Sequence, residues 1–166
     1  MNDLSPIEWA ILPLKKYATF SGRAPRAEYW WYYLATVIVG IPIGFLDKVL
    51  GTGQLFAGIF DLALLLPWLS VSVRRLHDTD RSGWWFAALL GALIGDIALF
   101  GVMSMLETGT DANRTPLGFT SIIAATVVLI GAAITLIVFM VLPGTEGMNR
   151  YGPDPYGPSD LEEVFA

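Results

Sequence analysis

The chain has 166 residues, 54% of them apolar and 15% charged, with a mean hydropathy of +0.57; that is one domain's length, but far less charge than the roughly 25% of a soluble domain. A formal net charge of −5 argues against nucleic acid as a partner, because a phosphate-binding surface needs a basic excess. The absence of cysteine excludes disulfides, thiol catalysis and thiolate metal ligands.

In chain order, residues 1–28 are mixed in polarity and show no cleavable signal peptide, since the first apolar run is too long for one. Ser5-Pro6-Ile7-Glu8 has the form of a capping box with proline at the first helical position. Ile7, Ile11 and Leu14 follow as one apolar stripe, and Pro13 should bend or end the helix. This predicts a short amphipathic helix lying on the inner leaflet of a membrane. The stretch FSGRAPRAEYWW comes next; Pro25 suits a first helical turn, and Arg23, Arg26 and Glu28 fall at the membrane interface.

Four runs are long enough for the ~20 apolar residues of a membrane helix: 29–46, 55–73, 84–106 and 119–142. The expected fold is therefore all-α and polytopic, with residues 1–28 an interfacial segment, 29–142 the membrane domain and 143–166 a tail. Pro42 and Pro67 should bend the first two spans. Gly40/Gly44 and Gly91/Gly95 each form a GxxxG pair that allows close helix approach.

Basic residues give an orientation. Lys15, Lys16, Arg23, Arg26, Arg74, Arg75, Arg81 and Arg150 fall on one side of the spans, and only Lys48 and Arg114 on the other. The positive-inside rule then puts both termini in the cytoplasm; the acids of the tail, Asp154, Asp160, Glu162 and Glu163, weigh little in this. RRLHDTDRSGWW becomes the cytoplasmic turn between spans two and three. Arg74 and Arg75 should end span two facing anionic headgroups, Ser82-Gly83 should make the break, and Trp84 and Trp85 should open span three at headgroup depth. A connection this short makes the two spans antiparallel neighbours. The tail motif GTEGMNRYGPDP is too rich in glycine and proline for a helix, and should fold back onto the cytoplasmic surface in a series of turns.

Together, FSGRAPRAEYWW, RRLHDTDRSGWW and GTEGMNRYGPDP resemble the bacterial inner-membrane family known as domain of unknown function 805, in order and from about Tyr17 to Pro155. The resemblance implies a small multi-span inner-membrane protein and no particular activity. One departure is Asp80, where similar proteins more often carry glycine; it adds a carboxylate to the turn.

The candidate site is a cytoplasmic polar cluster of Arg23, Arg26, Glu28, Arg74, Arg75, His77, Asp78, Arg81, Asn149, Arg150, Tyr151 and Asp154. Its leading reading is non-enzymatic binding of an anionic lipid headgroup or of another membrane protein, which requires the arginines to converge. A second reading uses the intramembrane carboxylates Asp61 and Asp96. Each lies 12 residues, or about 18 Å, from the inner end of its span, so a pair at one level could handle protons or a solute, with a homo-oligomer supplying room. Their structural alternative is a hydrogen bond to a hydroxyl such as Thr126 or Thr135. A third reading is catalysis by His77 and Asp78, although neighbours on a regular element seldom face each other. One histidine and no cysteine leave too few ligands for zinc, no phosphate loop is present, and no cofactor is expected.

Overall fold

The computed structural model describes residues 4–106 and 116–157, with backbone alone at 103, 104, 106 and 116–122. Arg114 and the tail acids Asp160, Glu162 and Glu163 lie outside the described residues. Among the described residues five helices follow one another: α1 (Pro6–Lys15), α2 (Arg26–Leu50), α3 (Leu55–Asp78), α4 (Trp84–Leu106) and α5 (Pro116–Val141). Among the described residues the one β-type pairing is an isolated bridge between Asn149 and Gly152. Helices α2 to α5 each contain a stretch long and apolar enough to cross a bilayer. Their outer faces carry large apolar side chains with no protein cover, such as Ile41, Phe45, Leu62 and Ile94. A surface of this kind is one that contact with lipid would cover.

The chain divides into two units. The first comprises Met1–Gly83 with Met140–Ala166, and the second Trp84–Phe139. In the second, Trp85 meets Phe139 edge to face at 5.6 Å, and Ala92, Gly95, Asp96, Leu99, Ala124 and Val128 are among the residues lining a hollow of about 300 Å³.

In the first unit, α1 begins at the capping box read from the sequence. Ser5 Oγ accepts from Glu8 N at 3.3 Å, and Glu8 Oε2 accepts from Ser5 N at 2.7 Å. The Ser5 backbone N–H, and then its hydroxyl, hold the Glu8 carboxyl below its usual range. Pro13 removes the bond that would reach the Trp9 carbonyl, and the helix ends two residues later at Lys15. The structure packs this helix lengthwise along α2, with Trp9 and Pro13 buried and Ile7, Ile11 and Leu14 facing outward. The stripe borders a groove with Trp31, Leu34 and Ile38 of α2, and Lys16 meets Glu28, so α1 runs antiparallel to α2.

Helices α2 and α3 form an antiparallel hairpin. Tyr32 Oη donates to the Leu64 carbonyl at 3.2 Å, and the Gly40 face approaches the Phe60 ring. Gly44, Gly91 and Gly95 have open space around them, so of the two GxxxG pairs Gly40 alone marks a close contact. Asp47 closes the far end of the hairpin. Its carboxylate accepts from Phe56 N at 3.1 Å, from Ala57 N at 2.8 Å and from the Thr52 hydroxyl. Gln54, the N-cap residue of α3, makes no side-chain cap, so an acid of the preceding helix does that work at the positive end of the α3 dipole.

Candidate functional site

At the opposite end of the hairpin, α3 does not stop near Val73. It runs on through Arg74, Arg75, Leu76, His77 and Asp78. The reason is a complete C-terminal cap. Asp80 N donates to the His77 carbonyl at 3.0 Å and Arg81 N to the Leu76 carbonyl at 2.9 Å, the pair of bonds that defines a Schellman motif. The motif needs a left-handed residue, and Asp80 supplies it at φ +55°. Aspartate tolerates that region better than most side chains, and glycine suits it best. The departure at residue 80 therefore keeps the turn's shape. The break spans 79–83, and Gly83 is held to glycine by Val73, whose Cγ1 would lie 2.8 Å from an added Cβ.

Because the helix continues, Arg74 and Arg75 do not reach toward headgroups. They are buried, at 1% and 0% exposure. The FSGRAP segment lies against this last turn, with Ala24 N donating to the Arg74 carbonyl at 3.0 Å. Two ion-pair groups fill the interface. In one, Arg74 Nη1 meets Glu28 Oε1 at 2.6 Å, and the half-exposed Lys16 lies 3.8 Å from the other carboxylate oxygen. In the second, Asp78 takes Arg23 Nε on Oδ1 at 2.9 Å and Arg75 Nη1 on Oδ2.

Further donors of Arg23 and Arg75 go to backbone carbonyls at the end of α5 and in the segment that follows it, and Arg75 also reaches the Ala24 carbonyl at 3.5 Å. Arg23 reaches Thr145 and Gly147, the latter at 2.6 Å. Arg75 reaches Met140 at 3.2 Å and Leu142. Thr145 N returns a bond to the Asp78 carbonyl at 2.8 Å. The tail motif is thus latched across the end of α3 by two buried guanidinium groups. Charge-assisted bonds of this kind are the strong class, and they secure a segment whose composition rules out regular structure. Arg74 is the exception: its Nε and Nη2 are buried with no acceptor among the described residues.

A second, more exposed layer lies outside the first. The His77 ring stacks on Tyr151 at 3.8 Å and 3°, and the Arg150 guanidinium sits 4.9 Å from the centre of the Tyr151 ring. Arg150 also pairs with Asp80 at 3.1 Å and donates to its carbonyl at 2.6 Å. Asn149 Nδ2 donates to the His77 carbonyl at 2.9 Å. His77 Nδ1 faces the Gly22 carbonyl at 3.2 Å; a carbonyl can only accept, so Nδ1 is the donor in this contact. Asp78 is engaged by two arginines and does not orient this imidazole. Asp154 caps the following turn, accepting from Gly147 N and Tyr156 N.

Arg23, Arg75 and Asp78 therefore meet in one buried group and Glu28 and Arg74 in a second, with His77, Asn149, Arg150, Tyr151 and Asp154 outside them. Arg81 donates to the Thr79 carbonyl at 3.1 Å, beside the cap. Arg26 stands apart in a useful way. It is exposed, donates to the Val141 carbonyl at 3.3 Å, and lines a pocket of about 200 Å³ with Arg23, Arg75, Glu146 and Tyr156. Asp61 and Asp96 line separate hollows, one in each unit. Thr135 spends its hydroxyl on the Gly131 carbonyl of its own helix. Sequence reasoning missed Lys16, Thr145 and the tail carbonyls, which carry no side-chain signal. It also missed Gly144 and Asp47, which the adjacent Pro143 and the GTG turn at residues 51–53 could have flagged.

Comparison with known proteins adds a family. The profile described as protein of unknown function (DUF805) matches residues 17–153. The inner membrane protein YhaH of Escherichia coli K12 is 33% identical over 154 residues, covering 90% of this chain and 97% of its own. The inner membrane protein YhaI of the same strain is 33% identical over 150 residues, covering 90% and 96%. The uncharacterized protein YiiR is 28% identical over 140 residues, covering 82% and 85%. No solved structure gives a significant match.

Proposed function

The chain belongs to the DUF805 family and is an integral inner-membrane protein with four apolar helices, and we propose that it acts as a non-enzymatic module binding an anionic lipid headgroup at its arginine-rich end. The observation that carries this reading is the contrast between Arg26 and the other arginines. Arg23 and Arg75 spend their donors on Asp78 and on the tail. Among the described residues Arg26 makes one hydrogen bond; it is exposed at the rim of the 200 Å³ pocket and stands at the start of α2, whose N-cap residue Pro25 gives no side-chain cap. Free guanidinium donors beside an uncapped helix N-terminus suit a phosphate. In this reading the buried network is the frame that fixes Arg26, and the end it occupies is cytoplasmic, as eight of ten basic residues favour.

The test is mass spectrometry of lipids and proteins co-purified from native membranes with wild type, Arg26→Ala and Arg150→Ala. The expected result is an anionic phospholipid retained by wild type and Arg150→Ala and lost from Arg26→Ala. An unchanged lipid complement in Arg26→Ala would remove the proposal. Loss of a protein in place of a lipid would redirect it to partner docking. A reporter fused within the Asp80 turn and active only outside the cytoplasm would reverse the orientation.

A further inference from the structure

The groove between α2 and α3 holds a carboxylate that nothing in the fold explains. Its volume is about 500 Å³, and Asp61 lines it together with the rings of Tyr32, Tyr33, Phe60 and Trp68. Asp61 lies six residues inside α3, about 9 Å along the helix from its first residue. No cation or hydrogen-bond donor among the described residues reaches it. Two of the hydroxyls that line the groove are engaged elsewhere: Tyr32 Oη donates to the Leu64 carbonyl, and Thr36 Oγ1 to the Tyr33 carbonyl at 2.7 Å. The groove stays open beside Asp61 because Gly40 and Ala57 contribute almost no side chain there. Ile41 and Leu65 on its rim are exposed, so it opens toward lipid.

A carboxylate in an apolar setting costs several kcal/mol unless a positive charge meets it. Aromatic rings add attraction for a cation, and most strongly for one shielded from water. We propose that this groove binds a lipophilic organic cation, with its charge on the Asp61 carboxylate among the aromatic rings and its apolar body along Leu64, Leu65 and Ile41. The site lies on a different part of the first unit from the arginine cluster, so it stands or falls independently of headgroup binding.

The test uses the full chain in a neutral detergent and tritiated tetraphenylphosphonium as probe, with tetraphenylborate as an anion of the same shape. Wild type and Asp96→Asn should bind the cation saturably, and Asp61→Asn about tenfold more weakly or not at all. Tyr33→Leu, which removes an exposed ring, should weaken binding by a smaller factor. Wild type supplies a readout that no misfolded variant can confuse: labelling of Asp61 by a hydrophobic carbodiimide, read by peptide mass spectrometry, should fall as tetraphenylphosphonium is added and not as tetraphenylborate is added. Non-saturable binding, equal binding by Asp61→Asn, equal binding of the anion, or carbodiimide labelling indifferent to the cation would each overturn the proposal.

Discussion

Gly144 lies directly against the carboxylate of Asp78, so closely that a Cβ on residue 144 would collide with both oxygens. The contact lets the segment after α5 pass over the last turn of α3 while Thr145 hydrogen-bonds the Asp78 backbone. Gly144→Ala should therefore push the tail off its seat, at the cost of about 1–3 kcal/mol typical of overpacking. Limited proteolysis in detergent should show earlier cleavage after Arg150 in the variant. Unchanged protection there would mean that the latch tolerates the methyl group.

Asp78 balances two guanidinium groups, Arg23 and Arg75, whose side chains are 1% and 0% exposed. Removing it leaves two buried cations facing each other without an acid. Asp78→Ala should destabilise the folded protein by about 3–5 kcal/mol, the range for breaking one side of a buried pair. Thermal unfolding followed by tryptophan fluorescence would measure this. Asp80→Asn, which keeps a side chain that tolerates the left-handed turn, should change little by comparison, because the Arg150–Asp80 pair is exposed at both ends and such pairs are worth about 0–1 kcal/mol.

Glu28 and Arg74 make the other buried pair, and here the balance differs. Two Arg74 donors are buried with no acceptor among the described residues, and each carries a penalty of about 1–3 kcal/mol. Glu28→Leu alone should be strongly destabilising, since it strands Arg74. The double variant Glu28→Leu/Arg74→Met should recover most of the loss, as apolar replacement of buried ion pairs can. A double-mutant cycle on unfolding in detergent decides it; a double variant no better than Glu28→Leu would show that Arg74 contributes more than its bond to Glu28.

Asp47 caps α3 from the end of α2, so its loss should loosen the hairpin turn at residues 51–54. Asp47→Ala should cost about 1–2 kcal/mol, as removal of an N-cap acceptor does. Hydrogen exchange should rise at the Phe56 and Ala57 amides and stay unchanged at the Arg74 end of the same helix. Faster exchange along the whole of α3 would point to global loosening instead.

How much was legible beforehand differs between the two ends of each helix. The apolar runs announce themselves because a bilayer imposes one length and one composition on any helix that crosses it. The capping box of α1 was equally readable, since its partners are three residues apart. The run RRLHD was read as a turn because charge and an approaching Ser-Gly usually end a span. It is helix because Leu76 is core and Asp80 closes a Schellman cap, and neither property is written in the charge pattern. The membership of the cluster was named from charge and motif; its internal wiring was not.

Sequence alone determined that four helices are apolar enough to cross a bilayer and that most cationic residues fall outside them, because the cost of placing charge in hydrocarbon depends on residue type and not on partners. Tertiary structure decided which arginines are spent and which remain. That outcome rests on contacts between residues 55 to 124 positions apart, such as Arg23 with Asp78 and with Gly147, and on carbonyl groups that every residue carries alike. A guanidinium looks the same in the chain whether it ends locked between Asp78 and a glycine-rich tail, like Arg23, or at the rim of an open pocket, like Arg26.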